Sequence, residues 1–152
     1  MYDTRNVDAI AAALLELTGC LNSPRQDDVL LSEAGVSLDR ALFPLLVRLS
    51  AASAMSVAKL AEQVGRDPST VSRQLMKLEQ LGLVRRPAAR DDLRVRDAAV
   101  TKGGLRTVAA ITAARRKLLS ELLRHWSPEE REVFPKLLQR LADTMKSRQA
   151  GL

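Results

Sequence analysis

The chain has 152 residues, 46% hydrophobic and 28% charged, a balance that fits one soluble globular domain with a substantial core. Its net charge of +6 and pI of 10.1 favour a polyanionic partner, either nucleic acid or an anionic membrane surface. One cysteine (Cys20) excludes an internal disulfide framework, one histidine (His125) leaves too few soft ligands for a zinc or copper site, and no apolar run approaches the ~20 residues of a membrane span. The opening MYDTRNVDAI lacks the basic and apolar regions of a signal peptide, so a reducing, cytoplasmic location without membrane attachment is expected. Low-complexity segments, internal repeats and an interdomain linker are not visible, which predicts a single domain.

From Asp3 to Leu21, the residues Val7, Ile10, Ala11, Leu14, Leu15, Thr18 and Leu21 fall on one helical face, with Arg5, Asp8 and Glu16 elsewhere. This predicts an amphipathic first helix. Asn22, Ser23 and Pro24 break it, and the pattern from there to Gly35 is ambiguous. Ser37 precedes another periodic run through Leu38, Leu42, Leu45, Leu46 and Leu49, in which Pro44 signals either a kink or a later helix start.

Ser56 then suits a helix start, and Val57, Leu60, Ala61 and Val64 follow at spacings of three and four, which predicts a short helix closed by Gly65. Asp67 and Pro68 open a second helix, Asp67 as N-cap and Pro68 where its missing N–H costs nothing. Val71, Leu75, Leu78 and Leu81 make the expected buried stripe of that helix. Ser69, Thr70, Ser72, Arg73, Gln74 and Lys77 remain for its exposed surface. Gly82 stops it, Leu83 to Arg86 reads as a strand, Pro87 to Leu93 as a turn, and Arg94 to Val100 as the returning strand. Between Arg85 and Arg106 stand seven cations (Arg85, Arg86, Arg90, Arg94, Arg96, Lys102, Arg106) against three anions (Asp91, Asp92, Asp97), so this wing carries most of the net charge.

Thr101 can cap a helix from Lys102 to about Trp126, some 25 residues or ~37 Å. Ser127, Pro128, Glu129 and Glu130 form a capping box that starts a last helix through Val133, Leu137, Leu138, Leu141 and Met145, with a kink expected at Pro135. Apolar first and last helices, together with so long a helix between them, leave stripes that one copy cannot easily cover, so a homodimer is expected.

The run LAEQVGRDPSTVSRQLMKLEQLGLV, the wing element Asp92-Leu93-Arg94 and the helix start Thr101-Lys102-Gly103-Gly104 resemble, in order and spacing, the winged helix-turn-helix regulators of the multiple antibiotic resistance (MarR) type. The resemblance covers essentially the whole chain, strongly from Ser56 to Leu105 and by helix pattern at both ends. It implies a mainly α fold with a small β-hairpin wing, in which residues 37–101 form a winged helix-turn-helix lobe and residues 1–36 and 102–146 a helical dimerisation region. It further implies that Arg94 enters the minor groove of DNA and that Asp92 orients it.

The expected partner is double-stranded DNA carrying a pseudo-palindromic operator, contacted by Ser56, Ser69, Thr70, Ser72, Arg73, Gln74, Lys77, Arg85, Arg86, Arg90, Arg94 and Arg96. Small hydroxyls permit close approach, Arg73 and Gln74 can make bidentate contacts with base edges, and Lys77 suits phosphate. The resemblance favours a repressor released by a small-molecule effector bound between dimer core and DNA lobe, and binding without any effector is the other option. With aromatic residues at 3%, stacking surfaces for a flat effector are few. No nucleophile motif, phosphate loop or dinucleotide fingerprint is present, so neither an enzyme nor a cofactor is expected. Cys20 reads as a small buried hydrophobe rather than a redox sensor, and His125 and Trp126 as packing groups. The competing function is a dimeric winged-helix module that binds protein instead of DNA.

Overall fold

The computed structural model describes residues 3–86 and 97–151, which form seven helices and a two-stranded hairpin. Its contacts fall into two units, one ending at Arg115 and one beginning at Arg116. In chain order the elements are α1 (Thr4–Leu21), α2 (Pro24–Ala34), α3 (Phe43–Ser50), α4 (Val57–Val64), α5 (Pro68–Gln80), β1 (Val84–Arg85), β2 (Ala99–Val100), α6 (Lys102–Leu122) and α7 (Pro128–Ala150). This is the mainly helical, winged helix-turn-helix outline expected from the sequence.

The ambiguous stretch before Gly35 is helix α2, with Pro24 in its first turn and Gly35 in the left-handed region at φ 65° as its C-cap. Pro44 marks a later helix start: it occupies the first turn of α3, while Asp39 shapes the preceding turn by accepting from the Ala41 N–H at 2.8 Å. Leu45, Leu46 and Leu49 of α3, Leu60 and Ala61 of α4, and Val71, Leu75 and Leu78 of α5 close on one another as the main core. Val84 and Ala98 seal it from the wing side. Leu31, Phe43 and Ile111 form a smaller cluster that ties α2 and α6 to α3.

Two expectations need correction here. Leu81 does not extend the buried stripe of α5; the helix ends at Gln80, Leu81 is its cap, and its side chain is 56% exposed. The returning strand is also corrected within the described residues, where Asp97 is not part of the ladder; Arg94 to Arg96 and the turn expected from Pro87 to Leu93 lie outside them. Ala99 and Val100 pair with Arg85 and Val84, but Ala98 pairs with Met55 through N–H to O bonds of 3.0 and 2.9 Å, adding a bridge just before α4.

The start of α6 is fixed against the wing. The Thr101 hydroxyl donates to the Gly82 carbonyl at 2.6 Å and accepts from the Gly104 N–H at 3.1 Å. Gly104 is required by this approach, because a Cβ there would overlap the Leu83 carbonyl oxygen and lie 2.5 Å from Val100 Cγ1. Gly104→Ala is therefore expected to cost about 1–3 kcal/mol, the usual penalty for overpacking. Urea denaturation measures it, and an unchanged midpoint would mean that the helix start yields freely.

Helix α6 ends at Leu122, four residues before the expected Trp126, and so spans ~31 Å. In the second unit, Ser127 begins α7 with the reciprocal capping box: its Oγ accepts from the Glu130 N–H at 3.1 Å and its N–H donates to Glu130 Oε2 at 3.3 Å. Trp126 and Phe134 meet edge to face with centroids 5.0 Å apart. Neither α1 nor α7 contributes a buried residue. Cys20 on α1 is likewise exposed rather than a buried hydrophobe, because α1 packs so little of its surface within one chain.

Candidate nucleic-acid interface

Local rules build the helix-turn-helix. Ser56 caps α4 by accepting from the Lys59 N–H at 3.2 Å, and Gly65, at φ 66°, ends it so that the Arg66 N–H reaches the Ala61 carbonyl at 3.0 Å. Two residues later Asp67 caps α5, accepting from the Ser69 N–H at 3.2 Å and from the Ser69 hydroxyl. That hydroxyl bond holds the Asp67 carboxyl below the usual carboxylate range, helped by the Ser69 and Thr70 N–H groups and the nearby Arg73 charge.

Because folding lowers this pKa, the stabilisation is complete above the unfolded value and is lost as pH falls through the folded one. In an acid titration the Ser69 and Thr70 amide shifts should accordingly move with a midpoint below that of an unfolded-chain aspartate. Asp67→Asn should abolish the movement, and its persistence would assign it to another group.

With Val71, Leu75 and Leu78 buried, α5 turns Ser69, Arg73 and Lys77 to solvent, while Thr70, Ser72 and Gln74 lie half-buried on its flanks. Arg73 Nη2 rests 3.4 Å from Thr70 Oγ1, a loose contact that leaves the guanidinium free to reach outward. Gln74 is more constrained, since its Oε1 accepts from Arg66 Nη1 at 2.9 Å. Met76 stands outside the set of contact residues expected from the sequence, yet shares the exposed face of α5. It is 53% exposed and completes an i, i+3, i+4, i+7 stripe with Ser69, Ser72 and Arg73. An apolar residue between polar ones at that spacing is the signal that identifies it.

On the wing, Arg85 is exposed, whereas Arg86 is half-buried with its Nε shielded from solvent and without a hydrogen-bond partner. Arg90, Asp92, Arg94 and Arg96 lie outside the described residues. Among the described residues no group of three or more His, Cys, Asp or Glu side chains could hold a metal ion, and no helix is long and apolar enough to cross a membrane.

The same segment carries the likeness to known proteins. The model of the MarR family matches residues 38–95, and YxaD of Bacillus subtilis, an HTH-type transcriptional regulator, is 35% identical over 105 residues, 69% of this chain and 73% of that one. The chain belongs to the MarR family. Rv2887 of Mycobacterium tuberculosis, an HTH-type transcriptional repressor, is 32% identical over 138 residues, covering 88% of this chain and 94% of its own. A solved structure of the MarR-family protein Rv2887 in complex with DNA matches with a TM-score of 0.65 at 25% identity, over 86% of this chain and 95% of that one. The fold of a MarR-family protein from Bacillus stearothermophilus agrees more closely, at a TM-score of 0.81 and 22% identity over 96% of this chain and 99% of the other. As a MarR-family protein, this chain is a winged helix-turn-helix, DNA-binding transcriptional regulator and not an enzyme.

Proposed function

We propose that this MarR-family protein acts as a two-fold homodimer that lays α5 of each copy in successive major grooves of a pseudo-palindromic operator, with half-sites about 10 bp apart. The observation that carries this reading is the division of α5: an apolar stripe locked into the core and an opposite face of Ser69, Ser72, Arg73, Met76 and Lys77 without an acidic residue. Arg73 and Met76 suit base edges, Met76 through the thymine methyl group. Lys77 and Arg85 suit phosphate, and Ser56 and Thr70 allow close approach. Arg90, Arg94 and Arg96 lie outside the described residues, and the family resemblance alone assigns them further DNA contacts, with Arg94 for the minor groove and Asp92 as its orienting partner.

Residues 37–101 serve as the DNA-reading lobe, and residues 1–36 and 102–146 as the dimerisation region. Support for the latter is the absence of any buried residue along α1 and α7 despite their apolar stripes. Repression is the favoured direction of control, since Rv2887 is a repressor. Release by a small molecule would follow if it binds one spacing of the two α5 helices better than another, and the shift is limited to that difference in affinity.

The test is fluorescence anisotropy on DNA fragments selected from a random pool by the purified protein. Arg73→Ala is expected to cost about 1–3 kcal/mol and relax preference at one position per half-site, whereas Lys77→Ala weakens all sequences alike and flattens the salt slope. Salt-independent binding, or a selected motif without a dyad, would refute the reading.

A further inference from the structure

The Arg66 side chain lies between two partners distant in sequence. Its Nη1 donates to the Ala41 carbonyl at 2.7 Å and to Gln74 Oε1 at 2.9 Å, and both bonds are partly buried. The backbone of Arg66 is itself held by the Gly65 cap, so the guanidinium is anchored at both ends. A guanidinium offers donors and no acceptor. The Gln74 amide facing it must therefore turn its oxygen toward Arg66, which leaves its NH2 group as the end of the amide able to donate elsewhere.

From this we infer that Arg66 sets the base preference of Gln74, making it a donor-only reader that selects guanine over adenine at one position of each half-site. The inference rests on α5 being the groove-reading helix. A free glutamine prefers adenine because it accepts from N6–H and donates to N7 together. Here the accepting half is held by Arg66, and the guanidinium charge beside it repels the N6–H edge. Guanine presents only acceptors, O6 and N7, to an incoming NH2 group. Arg66 thus acts as a positioning residue behind the reader, without touching DNA itself.

Selection of DNA from a random pool by the full-length protein and three variants tests this, with folding checked by circular dichroism. The wild-type protein should select guanine at a position where Gln74→Met shows no preference, and a guanine-to-adenine change there should weaken wild-type binding about fivefold to hundredfold. Gln74→Glu, which exchanges that donor for an acceptor, should turn that position to cytosine. Arg66→Met, which frees Oε1, should turn it to adenine. Adenine in the wild-type motif at the Gln74→Met-sensitive position, or a motif that Gln74→Met leaves unchanged throughout, overturns the inference while leaving DNA reading by α5 intact. No motif from any of the proteins would defeat both.

Discussion

Leu75→Ala should destabilise the core shared by α3, α4 and α5 by about 2–5 kcal/mol, the range for emptying a leucine site in a closed core. Leu75 is fully buried at the centre of α5, among Leu45, Leu46 and Leu49 of α3 and Leu60 of α4, so few neighbours are free to collapse into the space. Against a typical domain stability of about 5–15 kcal/mol, that is a large share. The substitution leaves every polar group on the outer face of α5 in place, so any fall in DNA affinity would come from loss of the helix's fixed seat. Arg73→Ala should show the reverse, reduced affinity at unchanged stability. Urea denaturation at one fixed protein concentration, since an assembled dimer unfolds in a concentration-dependent way, together with anisotropy on the same samples separates the two effects. A loss below 1 kcal/mol for Leu75→Ala would show that the core repacks and that α5 is held from elsewhere.

Much of this architecture is legible along the chain because the rules that specify it are local. Ser56, Asp67 and Ser127 each bond to a backbone N–H two or three residues on, and Gly65 closes a helix through carbonyls of the turn before it. Such signals need only their immediate neighbours to be read. What escaped depends on contacts between distant segments. Met55 sits in a stretch with no strand alternation and pairs with Ala98 only because α3 and the wing bring the two together. The bond from Arg66 to Ala41 and Gln74 has no counterpart in any spacing rule, yet it decides which atoms Gln74 can offer. Leu81 continues the apolar period of α5 by sequence, and only the Gly82 turn, at φ 74°, ends the helix before the residue can bury. The early end of α6 at Leu122 has no breaking residue before Ser127 to announce it.

Placing a charge on each of the two unburied helices should have the largest effect on function. Ile10 of α1 is 54% exposed and Leu137 of α7 is 55% exposed, and neither helix has a buried residue in the single chain. Substitution of exposed residues ordinarily moves stability by no more than about 0.5 kcal/mol, so Ile10→Glu with Leu137→Glu should leave the isolated protomer folded. If these faces meet a second copy, the carboxylates are instead buried against apolar surface, and the assembly comes apart to avoid that cost. Light scattering at micromolar concentration should then report a monomer for the double variant and a dimer for the parent. Two linked half-site contacts gain roughly 10²–10⁴-fold over one, and operator affinity should fall by that factor even though α5 and the wing are untouched. A double variant that remains dimeric and binds the operator as tightly as the parent would remove α1 and α7 from the interface. The partner surface would then have to be sought among the remaining exposed apolar residues, beginning with Leu119 and Leu122 at the end of α6.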